Sequence, residues 1–300
     1  MADGRRRLPP AVEAVLGGRA DTVADLTPPW AVATRTLLVT PAGAGPDGRL
    51  VVQWSADRAA IARRLRVGRR LAVAAPDLPL APIVAGDAAG PVPYLVTRFV
   101  AGTPGRELLD DDAGARGLGA AVGALARGLR TVPTTRLRLS HRWGDPRLLR
   151  AAARRWIERA RDDLGPDQSR RLAGLIEGLP AELGGEAPVF AHGDLAPVNV
   201  VVADGSVVGL LDLERVRLAH PLFDAAWWTW IIRRHHPERT ASAGGAFLAS
   251  AGIGDDPGTL RQLAILGALQ CLEVLAGLPA RASGPRTEWA GRVRAALGRL

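Results

Sequence analysis

The sequence predicts an α+β protein in two parts, a small β-rich N-terminal lobe and a larger, mostly helical C-terminal lobe. Three observations predict it. Short β-prone runs alternate with turns from Trp30 to about Val100. Ala101-Gly102-Thr103-Pro104-Gly105 then breaks the chain. Beyond it, apolar residues recur at helical spacing, interrupted by a compact β-rich stretch from Pro188 to Leu213. The expected division is an N-terminal extension (1–29), an N-lobe (30–100) and a C-lobe (101–300), with a hinge near 98–102.

In chain order, Thr36 to Thr40 and Leu50 to Trp54 read as strands flanking Pro41-Ala-Gly-Ala-Gly-Pro-Asp-Gly48, where Asp47-Gly48 is a turn signal. Asp57 to Ala75 reads as a helix capped by Asp57 or Ser55, with Ile61, Leu65 and Leu71 on its apolar side. Pro76, Pro79 and Pro82 end it, and Tyr94 to Val100 reads as another strand. In the C-lobe, Leu118, Val122, Leu125 and Leu129 keep helical spacing, and Leu148–Leu164 and Gln168–Leu179 predict two more helices. Within 188–213, Asp204-Gly205 separates two β-branched runs as a hairpin turn, and after Asp224 the chain returns to helices.

Composition excludes several classes. With 300 residues, 47% of them hydrophobic and 23% charged, the chain can bury a core without disulfides or a structural metal. Its one cysteine, Cys271, reads as a small buried residue on a helix and fits a reducing, cytoplasmic setting. No signal-length apolar run follows Arg5-Arg6-Arg7, and no stretch of about 18 uninterrupted apolar residues offers a membrane span. The formal charge of +9 raises the question of nucleic acid. Residues 186–300 are balanced at 11 Arg against 11 acidic residues, so the excess lies upstream. There Arg63, Arg64, Arg66, Arg69 and Arg70, and Arg147, Arg150, Arg154 and Arg155, sit in helical stretches without interleaved aromatics. They read as solvated helix faces, and no nucleic-acid partner is expected. All 39 basic residues are Arg, so chemistry that needs a lysine amine, Schiff-base or P-loop, is excluded.

The stretch that carries chemistry is Phe190-Ala-His-Gly-Asp-Leu-Ala-Pro-Val-Asn199, followed after the hairpin by Leu211-Asp212-Leu213-Glu214. A hairpin centred on Asp204-Gly205 places Asn199 and Asp212 on one face of two paired strands, on a diagonal of roughly 7–8 Å. An amide oxygen and a carboxylate are hard ligands, too few to cage a metal but suited to magnesium that also holds phosphates and water. Asp194, five residues before Asn199, could point at a hydroxyl beside such an ion.

His192-Gly193-Asp194 with Asn199 five residues after the Asp, then Asp212 and Pro221-Leu222-Phe223-Asp224, resembles the catalytic segment of the aminoglycoside phosphotransferase and choline kinase-like family. The resemblance implies a bilobal protein-kinase-like fold. It implies ATP or GTP and Mg2+ as cofactors, with Asp194 orienting the acceptor hydroxyl, Asn199 and Asp212 on the metal, and Asp224 structural. Pro93-Tyr94-Leu95-Val96-Thr97-Arg98-Phe99-Val100 is similar to the interlobe strand, whose backbone at Arg98 and Val100 would bind adenine.

Two departures stand out. The family places a Lys on the third N-lobe strand and pairs it with a Glu on the following helix. Here Gln53 stands where the Lys belongs, and 57–75 contains no Glu. The expectation is that Gln53, or an arginine from Arg63 to Arg66, contacts the phosphates instead. Gly43-Ala44-Gly45-Pro46-Asp47-Gly48 fits G-x-G-x-x-G but reads as a plain hairpin turn, because it leads straight into Leu50–Trp54.

Other polar residues have bland readings. His192 reads as a support for the loop, and His220, His235 and His236 as surface or capping residues. Trp227, Trp228 and Trp230 read as helix packing or as an aromatic floor, and Glu214 as a metal ligand or a partner of Arg215 or Arg217. The expected activity is phosphoryl transfer from ATP or GTP to a hydroxyl of a small molecule. The alternative is a nucleotide-binding, pseudokinase-like module. After Asp212 the chain reads Leu-Glu rather than Phe-Gly, and no Ala-Pro-Glu follows, which argues against a protein kinase. Acidic clusters are few beyond Asp110-Asp111-Asp112 and Asp255-Asp256, so a neutral or mildly charged acceptor is expected rather than a polyamine.

Overall fold

Alternating burial along the early strands builds the first sheet. Residues 8–18, 20–27, 34–135 and 137–300 are described in this computed structural model. The expected N-lobe start at Trp30 lies outside them. A short helix, α1 (Pro10–Val15), precedes β1 (Ala20–Asp25), β2 (Thr34–Pro41) and β3 (Leu50–Ser55); β4 (Ile83–Asp87) and β5 (Tyr94–Arg98) complete an antiparallel sheet of order β1-β2-β3-β5-β4. Leu37 and Val39 of β2, Val52 of β3 and Val96 of β5 are fully buried beside Val12 of α1. Each such side chain contributes about 1.5–3 kcal/mol of burial. Thus 1–29 is more than an extension: it supplies a strand and a core residue.

Two of these strands escaped the sequence for identifiable reasons. β1, Ala-Asp-Thr-Val-Ala-Asp, is a largely exposed edge strand, and β4 sits between prolines and contains Gly86. Gly86 is there because a Cβ would lie 2.4 Å from Leu65 Cδ2. Between β2 and β3 the chain makes a 3-10 turn at Pro46–Gly48, with Gly43 and Gly45 at φ 74° and 63°.

Helix α2 (Arg58–Ala74) starts where Asp57 accepts the Ala60 N–H at 3.0 Å. Its inner face is Ile61, Leu65, Gly68 and Leu71, and Gly68 admits Ile83, whose Cδ1 would be 2.8 Å from a Cβ. Residues up to Thr103 form one compact unit together with Val207–Glu214, and Pro104–Ser206 with Arg215–Leu300 form the other. The expected inserted hairpin is therefore not wholly a C-lobe feature. Its second strand, β9 (Ser206–Leu210), belongs from Val207 onward to the first unit, where the Leu210 N–H donates to Pro79 O at 2.7 Å.

The second unit is mainly helical. Its chain runs from Pro104, the second residue of β6 (Thr103–Pro104), through α3 (Asp112–Leu129), α4 (Pro146–Leu164), α5 (Pro166–Glu177) and the single turn α6 (Leu179–Glu182). Next come β7 (Val189–Ala191), β8 (Val200–Ala203) and β10 (Arg217–Ala219), then α7 (Phe223–His235), α8 (Gly245–Ala251), α9 (Pro257–Gly277) and α10 (Ser283–Leu297). β7 and β10 pair antiparallel, Phe190 against Leu218. Helix α9 is long and apolar enough to cross a membrane by length and composition. Here it is a core helix, largely buried and packed on α4, α7 and α10. Cys271 lies on it, buried, with its thiol pushed up to about 12 by desolvation.

Candidate active site

The loop after β7 is held from below by helix α7. At Gly193 the backbone takes φ 86°, and a Cβ there would fall 2.1 Å from Arg215 O. Only glycine fits both constraints. The N–H groups of His192 and Gly193 donate to the two carboxylate oxygens of Asp224, at 2.8 and 2.9 Å. Asp224 is buried in the first turn of α7, and burial raises its carboxyl above the usual carboxylate range. The His192 ring, the two N–H donors and Arg217 oppose that rise.

Asp194 follows directly and is half-buried. Its Oδ1 accepts the indole N–H of Trp227 at 2.7 Å, and Oδ2 has no hydrogen-bond partner among the described residues. Trp227 stands three residues after Asp224, so one face of α7 presents both the carboxylate that holds the loop and the indole that holds its acid. The Asn199 Nδ2 donates to the Asp194 carbonyl at 2.8 Å. That bond fixes the amide and turns its Oδ1 away as an acceptor.

Asn199 does not lie on a strand. Pro197–Asn199 is a 3-10 turn ahead of β8, and Asp212 lies beyond the end of β9 at φ 58°, a left-handed conformation that Asp tolerates. The strand-face argument for Asn199 and Asp212 therefore fails, because neither residue follows strand alternation. The turn itself is as expected: Asp204 and Gly205 take φ 50° and 72°, the signature of a type I′ turn.

In the first unit, Asp212 is one end of an ionic cluster. Arg64 of α2 places Nη2 at 3.1 Å from Asp212 Oδ1 and 2.6 Å from Glu214 Oε2, while Nη1 donates to Gln53 Oε1 at 3.4 Å. Gln53 in turn donates to Thr36 Oγ1 at 3.3 Å. The Arg64 side chain is only 10% exposed. Glu214 is thus an ion-pair residue, but its partner is Arg64 rather than Arg215 or Arg217; Arg217 pairs with Glu273 at 2.7 Å. At the hinge, the Arg98 N–H donates to Pro82 O and that of Phe99 to Arg49 O.

Residues 25–263 match the model of the phosphotransferase enzyme family, APH. The chain belongs to that family. Its fold is the kinase-like α+β fold also seen in solved phosphotransferases. Macrolide 2'-phosphotransferase MphH from Brachybacterium faecium is 20% identical, with a TM-score of 0.67 over 96% of each chain. The GDP complex of wild-type aminoglycoside 2'-phosphotransferase-IIIa is 15% identical, with a TM-score of 0.69 over 94% of each. A thermostable mutant of aminoglycoside phosphotransferase APH(4)-Ia, in a ternary complex with ADP and hygromycin B, is 13% identical, with a TM-score of 0.68 over 96% of this chain and 97% of that one. A search of curated proteins found no match.

The other residues of this phosphotransferase fall into place with less chemistry. His220 is buried rather than exposed, and its Nδ1 accepts the Leu222 N–H at 3.2 Å as a cap for the turn before α7. Burial holds its imidazole below the ordinary histidine range. Trp228 packs on Phe247, whereas Trp227 stacks on Trp230 at 5.1 Å and both face Trp289. Three acidic or sulfur- and imidazole-bearing side chains positioned to hold a metal are found nowhere among the described residues. Arg64 and Trp227 were the residues least visible in the sequence. The available signal for Arg64 was its position three after Ile61 and four before Gly68, a charge inside an apolar stripe.

Proposed function

We propose that this phosphotransferase moves the γ-phosphoryl group of ATP or GTP to a hydroxyl of a small molecule. The observation that carries the reading is Asp194, whose Oδ1 is held by Trp227 and whose Oδ2 is left for the acceptor. In the reaction Asp194 orients the hydroxyl and takes its proton at Oδ2. The acceptor oxygen forms the new bond to phosphorus, and the bond to the nucleoside diphosphate breaks with its electron pair on the departing oxygen.

Asn199 and Asp212 are the residues that would hold magnesium. Their donor set fits: Asn199 spends its Nδ2 on the Asp194 carbonyl and keeps Oδ1 as an acceptor, and Asp212 already attracts a cation, the Arg64 guanidinium. When bound, the ion supplies charge neutralisation on the phosphates. The backbone at Arg98 and Val100 is the segment that would hold adenine.

For the acceptor, the neighbourhood of Asp194 favours a neutral or mildly charged molecule over a polyamine. Trp227, Trp230 and Trp289 stack there, and Arg292, which lies 4.2 Å over the Trp289 ring, is paired with Glu288, so the surroundings are aromatic with their charge balanced. Some relatives are solved with kanamycin or streptomycin, which makes this a sharp distinction. A cytoplasmic location, with neither membrane nor nucleic acid as partner, completes the proposal.

The test is incubation of purified protein with labelled ATP or GTP, Mg2+ and a panel of macrolides, sugars, amino alcohols and aminoglycosides. Turnover is expected on a neutral or mildly charged acceptor, and Asp194→Asn should lower it by about 10²–10⁴-fold with nucleotide affinity kept. The missing strand Lys favours a second reading, a nucleotide-binding module. Tight nucleotide binding with no transfer to any acceptor and no slow hydrolysis would select it. Strong kanamycin resistance on expression in a sensitive host would refute the acceptor class.

A further inference from the structure

The cluster around Arg64 has features that a purely structural clamp does not explain. In the kinase template a strand Lys holds the phosphates and a helix Glu holds that Lys. Here the strand position is Gln53 and the helix supplies the cation, so the polarity of the pair is reversed. The anion comes from Glu214, two residues past the metal-binding position Asp212, at the shortest distance in the cluster, 2.6 Å. Arg64 reaches that place because Gly68, one turn later, lets α2 lie against Ile83 and Leu213. The side chain is nine-tenths buried, yet its Nε has no hydrogen-bond partner among the described residues. A buried donor left unpaired is costly, and it leaves this side chain with hydrogen-bonding capacity to spare.

We infer that Arg64 is the phosphate-contacting cation of this enzyme, moved from strand β3 to helix α2, and that Glu214 positions it in place of the absent helix Glu. Gln53 is its neutral rest on the strand. A guanidinium suits the transposed site better than an ammonium would. Its planar fork can keep Glu214 on Nη2 while Nη1 turns from Gln53 to a phosphate oxygen, whereas a Lys is a single point of charge. Asp212, at 3.1 Å, is the looser partner and is the one free to change ligands. The lysine-free sequence is then coherent: the lost strand amine has a replacement within the same unit.

This inference rests on the phosphoryl-transfer reading, and nucleotide binding tests it without turnover. Titrations of ATP, ADP, AMP and adenosine are compared for wild type, Arg64→Ala, Arg64→Lys, Gln53→Ala and Arg64→Glu, with circular dichroism as the folding control. Arg64→Ala should weaken ATP and ADP by between about tenfold and about a hundredfold and adenosine less than about twofold. Arg64→Lys should recover part of the loss, and Gln53→Ala should cost little. The decisive variant is Gln53→Lys combined with Arg64→Glu, which restores the usual polarity and should regain ATP affinity that Arg64→Glu alone loses. Equal losses for ATP and adenosine, unchanged ATP affinity in folded Arg64→Ala, or no recovery in the transposed variant would each overturn the inference. If wild type binds and discriminates ATP as described but transfers nothing, the phosphotransferase reading fails while Arg64 stands. A wild type that binds no ATP sinks both.

Discussion

The loop 192–199 and the segment 212–214 carry the two halves of one motif, yet they are held by different physics. The first is fixed through its backbone: Asp224 takes the His192 and Gly193 N–H groups, and Gly193 fills a position no side chain could occupy. The second is fixed through side-chain charge, with Arg64 between Asp212 and Glu214. A backbone clamp made of charge-assisted bonds, each worth about 1.5–3 kcal/mol, makes a site that does not move. A charge clamp with one loose partner makes a site that can exchange ligands. On the proposed reading, an acid that aims the acceptor needs the former, and groups that meet a polyphosphate need the latter.

That contrast can be broken most sharply at Gly193. Gly193→Ala should destabilise the protein by about 3 kcal/mol or more, since the new Cβ meets the Arg215 carbonyl and φ 86° is strained for alanine. Chemical denaturation measures it, and a soluble variant of wild-type stability would show that the loop is not backbone-locked. A smaller effect is expected at Trp227. Trp227→Phe keeps an aromatic ring but removes the donor to Asp194, and should lower kcat about tenfold with the nucleotide KM close to wild type, while the smaller buried ring lowers the Tm by a few degrees. An unchanged kcat would mean that Asp194 needs no orienting partner.

The smallest effect concerns acid stability of the turn that feeds α7. His220 has its imidazole held below the ordinary value of 6.5 by burial, with Glu186 opposing, so the unfolded chain takes up a proton first as pH falls. The stabilisation is complete above about pH 6.5 and is lost on acidification through the folded-state value. His220→Gln can still accept the Leu222 N–H but cannot charge. Its melting temperature should fall less between pH 7 and pH 5 than that of wild type, by about 2 °C. Parallel curves would show that His220 does not titrate on unfolding.

Much of this was legible because spacing carries it. Asp194 and Asn199 declare themselves by their five-residue separation, and Asp57 declares the start of α2 by its cap. The error over Asn199 and Asp212 was also legible: Pro197 cannot sit inside a paired strand, and it opens the 3-10 turn that takes Asn199 off β8. What could not be read is long-range. That Arg64 would find Glu214, 150 residues away, depends on Val207–Glu214 folding with the first unit, and no local pattern reports that. The edge strand β1 was hidden for a different reason, since its polar, exposed residues lack the apolar alternation that marks a strand.

Cys271 gives the chain a built-in clock. It is the sole thiol, it sits wholly inside the α9 packing, and burial keeps it protonated far above neutral pH. Maleimides and disulfide reagents therefore react only with molecules whose helical core has opened, at one site and without background from other cysteines. Labelling rate against temperature or ligand would read out how often that core breathes, in native enzyme and with no substitution at all.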